Sequence, residues 1–369
     1  MKGTQMDRRT FIQSGAAAAV LATLPRASFA QQLPFDPRPG AWRTFETTTR
    51  VEVLKTLGPT RAWVPLPSVE SEYQRVAGNS WSGNGAARLA RDGKYGAAMV
   101  AAEWSSGEKM PVLEVVSTFS TRNRAVAFGT PDPALRLDAA SAAFFIAATE
   151  FMPTDGIVRD TARDIVKGRK SEMEKARAIY EWIVDNTFRD PKTRGCGVGD
   201  IKSMLETRNL SGKCADLNAL YVGLARSVGL PARDVYGLRV VKSEFGYRSL
   251  GAGTPNVTRA QHCRAEVYLT GYGWVPVDPA DVRKVVLEER PQPTTLADPL
   301  VPPVREKLFG AWEMNWLAYN EAHDVKLPGS SGAPVAFFMY PQAETGAGRL
   351  DSLDPDSFKY KITTRELGI

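Results

Sequence analysis

The sequence predicts an α+β fold, in which a β-rich N-terminal domain precedes a core of helices followed by strands. Three observations carry this expectation. Residues 42–128 alternate in the manner of half-buried strands, with Gly and Asn clusters supplying turns. Helical spacing of apolar residues takes over near Leu135. After Pro231 strand patterns return and fold back at Gly271-Tyr272-Gly273.

Each part has its own justification. Asp7-Arg8-Arg9-Thr10-Phe11-Ile12-Gln13 precedes a mild apolar run at residues 16–24, and Ser28-Phe29-Ala30 sets small residues at the −3 and −1 positions of a cleavage site. Residues 1–30 therefore read as a twin-arginine export signal. The run is shorter than the ~20 residues that span a bilayer, so an uncleaved anchor is the weaker reading. A periplasmic or secreted protein without stable membrane insertion is expected.

The β-rich N-terminal domain covers residues 31–134, with a Pro-rich lead-in to 41 and strands expected at 47–53, 61–64 and 113–119. The core covers residues 135–300. Helices are expected at 139–148, 158–166 and 173–186, the last opened by Ser171 and Glu174 in capping-box spacing. A loop rich in Gly and charge follows at 190–200. The next helix begins near Cys214, with Leu217, Leu220, Tyr221, Leu224, Ala225 and Val228 at helical spacing and Gly229 and Pro231 to stop it. Strands at 233–241, 265–269 and 274–277 complete the core. Residues 301–369 form a C-terminal extension packing on it, with a helical piece expected at 308–321 and strands at 335–339 and 358–363.

Composition narrows the function. Without residues 1–30 the chain carries 43 basic and 40 acidic residues, with no Lys/Arg stripe interleaved with aromatics, so nucleic acid is not an expected partner. Three cysteines, Cys196, Cys214 and Cys263, cannot all pair within one chain. In an oxidising compartment a free thiol is a liability unless it has a chemical task.

Cys214 has the setting of a nucleophile. The first turn of a helix presents unpaired N–H groups and the positive end of the macrodipole, and both favour a thiolate. Its backbone N–H is one candidate oxyanion donor. Gly212 lets the backbone come close to a substrate. The plainer alternative is a buried cysteine packing as a small hydrophobe. A thiolate that transfers acyl groups needs an imidazole, and only His262 and His323 exist. His262 lies in a strand-like segment, and Asp278 follows 16 residues later across the turn. Paired as a hairpin, the even separation puts them opposite each other on one face, where Asp278 would orient the imidazole. His323 sits among residues that read as a helix end or loop and is expected at the surface. Cys263 should point to the sheet face opposite His262, as core.

Gly212-Lys213-Cys214, Gly229-Leu230-Pro231-Ala232-Arg233, His262 with Glu266-Val267-Tyr268, and Gly273-Trp274-Val275-Pro276-Val277-Asp278-Pro279 together resemble the transglutaminase-like superfamily over residues 145–290. The resemblance implies a papain-like transglutaminase core with Cys214, His262 and Asp278 as the triad, and thioester chemistry on amides. One position departs from the family: Arg264 stands where Trp is frequent, either pairing with Glu266, as a surface salt bridge at its plainest, or lining the substrate groove.

Other candidates are weaker. The loop from Arg194 to Asp200 lacks the ending of a phosphate loop and reads as a cleft wall. A Cys196–Cys263 disulfide would leave Cys214 free, by arithmetic alone. Gln261 and Asn186 are both candidates for a second oxyanion donor. Trp312, Trp316 and Tyr319 read as core packing before ligand stacking. No spacing suits a metal, and no cofactor motif is present. The expected function is hydrolysis or transfer of peptide or protein amides; the alternatives are a non-catalytic periplasmic scaffold or a cell-wall amidase.

Overall fold

The computed structural model describes residues 34–368, so the export signal expected at 1–30 lies outside the described residues. Three larger sheets organise the chain. In the first, strand Arg43–Val53 lies between Phe358–Leu367 and Val112–Thr121, with Gln74–Gly83 at the far edge. Val112–Thr121 alternates between half-buried and buried at every residue, which is why its period of two was legible. The second sheet runs Gly348–Arg349, Gln342–Thr345, Thr60–Pro65, Ala98–Trp104, Ala86–Arg91.

The third sheet carries the site. Its order is Gly273–Val277, Gln261–Leu269, Ala232–Arg239, Trp316–Asn320, all antiparallel. All nine residues of Gln261–Leu269 are buried, because both faces are covered. Helix Cys214–Ser227 packs on one face, where Ala265, Val267 and Leu269 share a core with Leu220, Tyr221 and Leu224. On the other, Arg264 lies over the Trp316 ring at 4.8 Å, and Glu266, wholly buried, is held by Arg233 at 2.6 Å and by Arg124. A buried carboxylate between two guanidiniums is tolerated only because it is paired.

Helices Ala139–Ile146, Gly156–Ile165 and Glu172–Asn186 form close to their expected positions, and the Ser171–Glu174 capping box is present. The helix expected at 308–321 is not there. Helix Val301–Lys307 precedes it, and the stretch itself holds strands Ala311–Trp312 and Trp316–Asn320. Trp312 and Trp316, four apart, imitate a helix face, but residues 308–320 are buried throughout and carry no periodicity to read. Both indoles are core. Residues beyond 301 contribute strands to all three larger sheets. Among the described residues no helix is long and apolar enough to cross a membrane.

Candidate active site

Helix Cys214–Ser227 starts at Cys214 because Lys213 is extended (φ −118°, ψ −159°) and its N–H is capped by the Asp216 carboxylate at 2.9 Å. Asp216 also accepts from Val198 and Gly199, each at 2.9 Å, and Ala215 N–H donates to the Cys196 carbonyl. The glycine-rich loop is thereby tied to the helix tip. Gly197 adopts φ +96°, and a Cβ there would fall 1.9 Å from an Asp216 oxygen. Gly212 has the same reason for being glycine: its added Cβ would meet Asp216 at 2.4 Å, so its close approach is to this carboxylate and not to the cleft. Among the described residues nothing accepts the Cys214 backbone N–H.

Cys214 is buried, and Cys196, Cys263 and His262 are the side chains that act on its thiol. The bonds from Cys196 and Cys263, opposed by burial and reinforced by His262, drive its pKa well below the ordinary thiol value. Cys196 and Cys263 go the other way, Cys196 chiefly through its bond to Cys214 and Cys263 chiefly through burial. All three thiols are free. Cys263 lies on the helix-facing side of its strand as expected, fully buried in the core cluster that also holds Cys214. The Cys196 thiol donates to the Gln261 carbonyl at 3.3 Å.

His262 Nε2 and Asp278 Oδ2 are 2.8 Å apart, which leaves Nδ1 for the sulfur. The strands pair Ala265 with Val277, so the residue across from Asp278 is Arg264, and His262 is its diagonal neighbour on the same face. Asp278 reaches back because it is no longer strand: it caps helix Pro279–Glu288, taking the Asp281 N–H at 3.1 Å. Asn218 holds the same oxygen at 3.3 Å and the Cys263 carbonyl at 2.8 Å, fastening helix to sheet. Trp316 Nε1 donates to the His262 carbonyl at 2.9 Å.

A second carboxylate stands behind the imidazole. Asp281 Oδ1 lies 3.4 Å from His262 Nε2 and 2.5 Å from the Arg239 guanidinium. Despite burial, Arg239 and His262 hold Asp281 well below the usual carboxylate range. Burial and Arg239 press the His262 pKa down, but Asp281 and Asp278 overcome them and carry it to about 9. His262, Asp278 and Asp281 offer ligand atoms within 4.8 Å of one another. Arg239 on Asp281 and Arg264, 3.5 Å from Asp278, already supply positive charge to both carboxylates, which leaves less negative charge for a divalent ion.

Asp281 and Arg239 escaped the sequence reading, although Asp278-Pro279 is a helix start that puts Asp281 in the first turn. Arg264 neither pairs with Glu266 nor lines the cleft: it is buried, donates to the Glu313 carbonyl at 2.9 Å and backs Asp278. Nor is His323 a surface residue. It is buried, with Nδ1 3.1 Å from the Tyr236 hydroxyl, and burial pushes its pKa well down. Of the two candidate donors, Asn186 is exposed and bonded to the Trp182 carbonyl. Gln261 lines the cleft with an unpartnered, buried Nε2. Arg194, Gly195 and Cys196 of the glycine-rich loop wall the same cleft.

A family model, the transglutaminase-like superfamily, matches residues 159–279. An uncharacterised protein of Haemophilus influenzae is 38% identical over 326 residues, covering 84% of this chain and 87% of that one. Among solved structures, a candidate cysteine protease from Cytophaga hutchinsonii aligns with a TM-score of 0.50 at 15% identity, over 89% of this chain and 99% of that one. The periplasmic domain of TgpA from Pseudomonas aeruginosa aligns with a TM-score of 0.34 at 16% identity, over 64% and 74%. At 15% identity the likeness to the Cytophaga hutchinsonii structure speaks for the fold alone.

Proposed function

The chain belongs to the transglutaminase-like superfamily, and on that premise we propose that it is an exported thiol enzyme that hydrolyses or transfers peptide or protein amides. Cys214 is the nucleophile, His262 the acid and base, and Asp278 the group that orients the imidazole. The observation that carries this reading is the buried series of thiol, imidazole and carboxylate, with the thiol driven toward its anion and the imidazole toward its cation.

The thiolate adds to the amide carbon, and the carbonyl π pair moves to oxygen. The Cys214 N–H and Gln261 Nε2 are free to hold that oxyanion. Collapse re-forms the carbonyl and breaks the C–N bond, the departing amine taking a proton from His262. A thioester remains. Water, or a second amine, then gives a proton to neutral His262 as it attacks, and the C–S bond breaks to restore the thiolate. Asp278 steadies the imidazolium in both halves.

The test offers the mature protein peptides with glutamine side-chain amides or backbone amides, with and without a primary amine. Mass spectrometry separates hydrolysis from amine incorporation. Cys214→Ala should form neither product; turnover above about a hundredth of wild type would remove Cys214 from this role.

A further inference from the structure

The cleft above Cys214 encloses about 650 Å³, the size of a small-ligand or short-peptide site. Its walls carry seven lysines and arginines, and no carboxylate lines it. Four of the cations have carboxylate partners outside the walls. Arg239 pairs with Asp281, and exposed Arg194 with Asp351 at 2.6 Å. Arg189 and Lys284 share Glu288, at 2.5 and 3.7 Å. The remaining three, Lys213, Arg259 and Lys359, make no salt bridge to any described carboxylate. Burial first, and then the neighbouring Arg239, lower the Lys284 ammonium to about 8. A cleft lined by one sign of charge focuses its field and concentrates the opposite sign inside.

We propose that this cleft selects acidic peptides: carboxylates flanking the scissile amide pair with Lys213, Arg259 and Lys359 while the carbonyl meets Cys214. This rests on Cys214 being the nucleophile. The size of the cavity and the acyl chemistry favour a peptide over a nucleic-acid strand. Lys213 directly precedes Cys214, so its charge sits at the reacting end of the helix, and Lys359, from the last strand, stands between Phe358 and Tyr360 on the cleft wall.

The test compares alkylation of Cys214 by iodoacetamide, which is neutral, and iodoacetate, which is anionic, with the adducts mapped by mass spectrometry. Iodoacetamide reports the nucleophile itself; failure to modify Cys214 would sink the functional reading and this proposal with it. The iodoacetate-to-iodoacetamide rate ratio reports the charge preference. It should exceed that of glutathione by about tenfold, shrink as salt rises, and fall about fivefold in the combined Lys213→Gln, Arg259→Gln, Lys359→Gln variant. A ratio equal to that of glutathione, or one unmoved in the variant, overturns the proposal while leaving the nucleophile intact. On the wild-type protein, penta-glutamate should protect Cys214 from iodoacetamide and penta-glutamine should not. Equal protection by both, or stronger protection by a single-stranded oligonucleotide, would overturn the assignment to acidic peptides.

Discussion

Asp281 holds a carboxylate oxygen 3.4 Å from Nε2 of His262, the same nitrogen that Asp278 engages at 2.8 Å. Two carboxylates share one imidazole, and Arg239 anchors the second of them. The signs follow from the charges. Burial and Arg239 lower the His262 pKa, while Asp281 and Asp278 raise it above its ordinary 6.5 to about 9. Cys214 moves down. The thiolate–imidazolium pair therefore exists from the depressed thiol pKa up to about 9 and is lost above it, as His262 gives up its proton. The kcat/KM profile should fall through an alkaline limb near pH 9.

Asp281→Asn removes one raising charge and leaves Arg239 without its partner. The alkaline limb should move down toward the ordinary histidine value, with iodoacetamide labelling of Cys214 following the same shift. A limb that stays in place would show that Asp278 alone sets the imidazole.

Gln261→Ala deletes the unpartnered amide that lines the cleft together with Cys214. It should lower kcat by about a hundredfold with little change in KM, as expected for a donor used only when the oxyanion forms. Single-turnover acylation is the measurement; an equal loss in KM would make Gln261 a ground-state contact instead.

Gly197→Ala puts a Cβ where the Asp216 carboxylate sits, at a φ of +96°. A loss of about 1–3 kcal/mol in urea unfolding is expected, together with slower Cys214 alkylation as the loop and helix tip part. Unchanged stability would mean that the loop does not depend on this anchor.

Arg8→Lys combined with Arg9→Lys should keep the protein in the cytoplasm, with the signal uncleaved, when cells are fractionated. Normal periplasmic recovery would remove the twin-arginine reading.

How much of this was legible in the sequence depended on whether a segment keeps one face to solvent. Val112–Thr121 does, and its alternation announced a strand. Trp316–Asn320 is buried throughout and offered no alternation to read, and the helix expected at 308–321 is absent. Cys214 at a helix start, His262 on a strand and Asp278 beyond a turn were legible because each position carries a local signal. Asp281 and Arg239 were not, since their pairing joins a helix tip to a strand 42 residues earlier. The role of Gly212 was misjudged for a similar reason: what it approaches, Asp216, is visible only once the loop is folded over the helix.

The central claim is that the Cys214 sulfur, activated by His262, is the reacting group. The most direct test treats the native protein with a peptide chloromethyl ketone and maps the adduct by tandem mass spectrometry. One adduct at Cys214, with its rate of formation lowered about a hundredfold in His262→Ala, is the predicted result. Modification of Cys196 or Cys263 with Cys214 spared, or labelling of Cys214 undiminished without His262, would contradict it.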